Sequence, residues 1–114
     1  MINSMDTRMF KFWHYSISHG ELLIRSIKSD EYDKNIDIMF FDVVYVELPR
    51  NLANIRIIGA KDDDVQYVNR RINKLVKPEN IIVLLSNEIR YVVVASIMKV
   101  VENDLEMFEL PFNK

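Results

Sequence analysis

The stretch "NIDIMFFDVVYVEL", residues 35–48, decides the fold. Ile36, Ile38, Phe40, Val44, Val46 and Leu48 lie on one alternating set, and Met39, Phe41, Val43 and Tyr45 on the other. An extended chain with that pattern is apolar on both faces. It predicts a central strand covered on both sides, or one kinked by a bulge near Asp42. Pro49 ends it, because a proline has no amide for a ladder hydrogen bond.

Upstream, residues 9–18, "MFKFWHYSIS", are rich in aromatic and β-branched types, and "ELLIRS" at 21–26 alternates apolar and polar. His19-Gly20 between them predicts a hairpin, since glycine supplies the positive φ of a tight turn. The polar "IKSDEYDKN" that follows is a loop. Downstream, "NIRIIG" gives a fourth strand ending at Gly59. The period then changes: Val65, Val68, Ile72 and Leu75 or Val76 recur at helical spacing. Asp62 to Asp64 at the start of this helix and Arg70, Arg71, Lys74 and Lys77 near its end complement the helix dipole, and Pro78 closes it. "IIVLLS" and "RYVVVASIMKV" are two more strands, placed centrally by their Val and Ile content. "ENDLEMFELPFNK" reads as a short helical turn with a loose tail.

The order β-β-β-β-α-β-β predicts an α+β domain, an antiparallel sheet of about six strands with one amphipathic helix on a face. At 114 residues, 49% hydrophobic, the chain supports one domain. Its expected limits are 9–114, after a flexible N-terminus at 1–8. The absence of cysteine rules out disulfides and thiolate zinc sites and fits a reducing compartment. The start "MINSMDTRMFKFW" has no apolar signal core, and runs such as "VVVASIM" fall far short of the roughly 20 residues a spanning helix needs. A cytoplasmic chain without a membrane partner is expected. Net charge is −2, and no stretch concentrates Lys and Arg as a phosphate-tracking surface does, so nucleic acid is not an expected partner. The two glycines, Gly20 and Gly59, sit at a turn and a strand end, leaving no phosphate cradle.

The two histidines, His14 and His19, are five residues apart across a strand and its turn, which directs them to opposite faces unless a bulge intervenes. Glu21 is the nearby carboxylate, and it stands in no metal-ligand spacing. A ribonuclease-like pair would need both imidazoles in one cleft with a cation such as Lys11 or Arg25. Neither arrangement is expected; a hairpin turn is, with no metal, no cofactor and no catalytic residue. Asp42 stands in an apolar run where an unpaired carboxylate costs several kcal/mol. It is expected to point outward at a bulge or to pair with Arg25 or Arg56.

Acidic residues recur in two places. The loop carries Asp30, Glu31 and Asp33. The C-terminal stretch carries Glu102, Asp104, Glu106 and Glu109 with no cation between them, interleaved with Leu105, Met107 and Phe108. Carboxylates beside an aromatic anchor suit docking against a basic protein surface.

"SISHGELLIRS" and "NIDIMFFDVVYVELP", with the length, the missing cysteine and the mild acidity, resemble the small bacterial immunity proteins of polymorphic and contact-dependent toxin systems. That resemblance implies a non-catalytic inhibitor that binds a cognate toxin, often a nuclease, one to one. The partner surface would then draw on Asp30, Glu31, Asp33, Glu102, Asp104, Glu106, Phe108 and Glu109. The alternative is a homo-oligomeric sheet protein that binds a ligand or assembles through an apolar face, with Phe10, Phe12 and Trp13 on an edge strand.

Overall fold

A computed structural model describes residues 8–113 of the chain. Nine strands and one helix follow in the order β1 (Met9–Ser16), β2 (Glu21–Ser26), β3 (Asn35–Phe41), β4 (Tyr45–Glu47), β5 (Asn51–Ala53), β6 (Arg56–Gly59), α1 (Asp62–Ile72), β7 (Ile81–Ser86), β8 (Ile89–Val94) and β9 (Ile97–Asn103). The α+β class, the antiparallel pairing and the strands–helix–strands order are those the pattern predicts. The strands form two sheets: five in the order β5-β1-β2-β3-β9, and four in the order β4-β8-β7-β6.

Two breaks make two sheets out of one expected sheet. The run 35–48 is cut at Asp42, whose φ of 58° turns the chain out of β3 and into β4 of the other sheet. The run 90–100 is cut at Ala95-Ser96, where β8 hands over to β9. The two corners are tied together: the Ser96 amide donates to Phe41 O at 3.1 Å, and its hydroxyl donates to the exposed Asp42 carboxylate at 2.8 Å. Asp42 therefore marks a bend and points outward, and neither Arg25 nor Arg56 is its partner.

The alternation survives the corner. Ile36, Ile38 and Phe40, with Phe10, Leu22, Ile24 and Leu52 of the same five-stranded sheet, meet Leu84, Val93 and Val46 from the second. Around Asp42 the order shifts locally, so that Val43 is buried and Val44 is 57% exposed. A second, smaller core lies between the other face of the four-stranded sheet and α1, where Val68 packs on Ile81, Val83, Val92 and Val94 with Val65, Ile72 and Val76 at its edge. Leu75, the alternative to Val76, is 90% exposed. The helix ends well before Pro78: Asn73 takes the left-handed conformation and its amide bonds Asn69 O at 2.8 Å, while the Asn69 side chain accepts from the Val76 amide.

The predicted hairpin is β1–β2, with Ser16 opposite Glu21. Gly20 has a φ of 61°, and a Cβ there would lie 3.2 Å from the Val43 amide nitrogen. That close approach, with Val43 N donating to Gly20 O at 2.9 Å, docks the turn on the corner. Pairing slips between Phe12 and His14, making Trp13 the extra residue of a bulge. Over Met9–Lys11 β1 lies between β5 and β2, and Phe10 is fully buried, so Phe10 offers no apolar assembly face. Arg8 is 4% exposed, its guanidinium donating to Ser26 Oγ and to the carbonyls of Ser26 and Lys34; residues 1–7 lie outside the described residues.

Candidate protein-docking site

The outer face of the five-stranded sheet carries a charge pair that organises the site. Arg25 on β2 stands directly across from Asp37 on β3, with Nε to Oδ1 at 2.7 Å and Nη2 to Oδ2 at 2.9 Å, both side chains fully buried. A fork-to-fork pair uses part of the guanidinium's donor set. The rest reaches the C-terminal segment: Nη1 donates to Met107 O at 3.2 Å and Nη2 to Glu109 O at 3.0 Å. Asn103 donates to Asp37 at 2.8 Å, Asn35 donates to Asn103 Oδ1 and Leu105 O at 2.9 Å each, and the Trp13 indole donates to Met107 O at 3.3 Å. The stretch expected as a helical turn with a loose tail is therefore β9 through Asn103, then a strap across the sheet, then a short 3-10 turn at Pro111–Asn113.

Lys28 fixes the start of the strap. Its ammonium donates to Asp104 Oδ1 at 2.8 Å, Asp104 O at 2.9 Å and Glu106 Oε2 at 2.9 Å. The hydrogen bonds it donates to Asp104 and then Glu106 hold the Lys28 pKa above its ordinary value, and Lys28 in turn holds Asp104 below the usual aspartate value. Arg8 closes the other side, its Cζ 4.2 Å from the Tyr32 ring centroid. Burial lowers the Arg8 pKa against the opposing pull of Tyr32 and Glu102.

Between loop and strap runs a groove of about 380 Å³, with Met9, Trp13, Ile27, Tyr32 and Met107 as apolar lining and Lys11, Arg25 and Glu31 as its charged lining. The Glu109 amide closes a turn onto Glu106 O at 2.9 Å, placing Met107 and Phe108 at its two central positions. Phe108 is 91% exposed.

Of the acidic residues expected at a partner surface, Glu31 lines the groove, and the Asp104–Glu109 turn reaches it through Met107. Asp104 and Glu106 are paired with Lys28 yet remain 65% and 78% exposed. Glu102 lies within electrostatic reach of Arg8. Glu109 accepts from the Glu106 amide at 2.8 Å. Asp30 and Asp33 are exposed in the same loop. Segments 27–34 and 102–109 together hold seven carboxylates against two lysines, a charge of −5, where the whole chain carries −2; the remaining residues are net positive. Lys28 and Asp37 were missed, and Arg25 was read only as a cation for a histidine pair or a partner for Asp42. Their signal was present: Asp37 falls in the same alternating set as Met39 and Phe41, and Arg25 in the set of Leu23.

The histidines take no part. The His14 ring centroid is 6.2 Å from that of Phe112, and His19 Nδ1 lies 3.1 and 3.2 Å from the Ser16 and Ser18 hydroxyls. No group of three or more potential metal-binding side chains occurs among the described residues. None of their helices is long and apolar enough to cross a membrane.

A larger cleft of about 560 Å³ opens between the first turn of α1 and the four-stranded sheet. Its polar groups hold one another. Glu47 accepts from the hydroxyls of Tyr45 and Tyr67, the latter at 2.8 Å, and lies 3.5 Å from Arg71. Asp64 accepts from Arg90 Nε at 3.1 Å and from the Lys61 amide at 2.8 Å. These contacts clamp the helix to the sheet. The Tyr67 pKa is raised chiefly by its bond to Glu47.

No protein-family model matches the chain, and comparison with curated proteins and with solved structures likewise finds no match.

Proposed function

We propose that this chain is a non-catalytic binding protein, an immunity protein that neutralises a cognate bacterial toxin by one-to-one binding through the acidic segments 27–34 and 102–109. The carrying observation is Phe108. It is almost wholly exposed, yet the carbonyls of its two neighbours, Met107 and Glu109, are both held by the same buried guanidinium. An aromatic side chain presented on a pre-ordered turn loses little conformational entropy on docking, as a binding hot spot requires. The carboxylates around it favour a basic partner and speed encounter at low salt. A nuclease toxin, whose substrate-binding surface is basic, suits this face.

The test is co-expression with the product of the adjacent open reading frame, followed by growth and complex stoichiometry. The proposal expects protection and a one-to-one complex that weakens with salt. It also expects Phe108→Ala, or Asp30→Lys with Glu31→Lys, to weaken that complex more than about tenfold, which is ~1.4 kcal/mol. A complex indifferent to all three substitutions would overturn it.

A further inference from the structure

The two sheets have four edges, and three of them are blunt. β4 and β5 are three residues long and β6 is four. The β5 edge is also closed by the second sheet, since the Ser86 hydroxyl and the Asn87 amide both bond Ala53. Short, capped edges are how sheets avoid pairing with other chains. β9 is different. It is seven residues long, pairs with β3 at every position from Ile97 to Asn103, and has no strand on its other side among the described residues.

Its composition favours pairing: Ile97, Val100 and Val101 are β-branched, and Ile97 is 51% exposed. A lysine commonly guards an open edge. Here Lys99 leans back over its own sheet, with Nζ 5.7 Å from the Phe41 ring centroid, leaving the row of backbone groups uncovered.

We propose that β9 is an interface between two copies of this chain, joined edge to edge and antiparallel about Val100. A second copy brings a free edge of the same length. Val100 is the midpoint of β9, so a two-fold axis there matches all seven positions. Lys99 then faces Val101 of the second copy, Met98 faces Glu102, and Ile97 faces Asn103, so neither charge of the strand stands opposite its own kind. Parallel pairing would stack Glu102 on Glu102. The result is a continuous ten-stranded sheet with an isologous interface. It does not depend on the acidic segments or on any toxin.

Sedimentation analysis of the full chain at low and high salt tests it. The expected mass is twice 13.5 kDa, retained in high salt because backbone pairing and apolar contacts carry the interface. As the chain has no cysteine, single variants report the register: Val100→Cys, which faces itself across the two-fold axis, should cross-link faster on oxidation than Val101→Cys, whose counterpart is a diagonal neighbour too far for a disulfide, and faster than Ile17→Cys, in the exposed hairpin turn. A monomer at every concentration overturns the proposal. So does a dimer that salt dissolves, or one in which Ile17→Cys or Val101→Cys cross-links as fast as Val100→Cys.

Discussion

Arg25 and Asp37 face one another across β2 and β3, bonded at two points and sealed from water. Burying an ion pair costs desolvation that its attraction roughly offsets, whereas removing one partner leaves an uncompensated charge. Asp37→Ala should therefore destabilise the fold by about 3–5 kcal/mol in urea unfolding, a large part of the ~5–15 kcal/mol typical of a domain. Arg25→Met combined with Asp37→Leu should recover much of that loss. Equal destabilisation by the double and single variants would show that the strap, more than the pair, needs Arg25.

Trp13 is the single tryptophan of the chain, and its indole lies under the strap, bonded to Met107 O. Truncation after Glu106 should shift its emission to the red and lower stability, since Arg25 would lose two carbonyl acceptors. An unchanged spectrum would mean that the strap does not cover Trp13 in solution.

The corner at Asp42 combines a left-handed backbone with a side-chain bond to Ser96. Asp42→Ala loses the bond and keeps the strain, with an expected cost of about 1–2 kcal/mol. Asp42→Gly loses the bond but relieves the strain, and should cost less. Thermal unfolding of the two variants distinguishes these contributions; a glycine variant as unstable as the alanine one would exclude backbone strain.

Asp64 gives the helix clamp a pH dependence. Burial pushes its pKa up, but hydrogen bonds from Arg90 and the Lys61 amide prevail and hold it below the ordinary 3.8. Its contribution is therefore complete above pH 3.8 and is lost as pH falls through the lowered folded-state value. Arg90 is 39% exposed, so solvent screening limits the contribution to about 1 kcal/mol. The unfolding free energies of the parent and Asp64→Asn should differ by that amount at neutral pH and converge in acid. A gap that persisted in acid would assign the effect to packing.

Phe108→Ala should leave folding stability within about 0.5 kcal/mol, because the side chain is solvated and its turn is held by backbone carbonyls. A larger loss would mean that Phe108 packs within the fold.

The hairpin, α1 and β7 were legible from local signals, namely Gly20, the switch to helical period after Gly59, and the uninterrupted "IIVLLS". Of the alternating set Ile36, Ile38, Phe40, Val44, Val46 and Leu48, all but Val44 face the core, because alternation resumes beyond the corner. The division into two sheets was not legible. A strand covered on both faces and a strand that changes sheets have the same apolar pattern, and the change depends on one left-handed residue. The site was half legible: the acidic residues and Phe108 stand out in the sequence. Their assembly did not, because it rests on Lys28, Arg25 and Asp37, single charges whose partners lie many residues away. The Glu47, Tyr67 and Arg71 cluster escaped for the same reason.

Amide hydrogen exchange of the chain, alone and bound to the product of the adjacent open reading frame, tests the docking surface most directly. Added protection is predicted across residues 27–34 and 104–110. Protection confined to the cleft around Glu47 and Asp64, with the Phe108 turn unchanged, would contradict it.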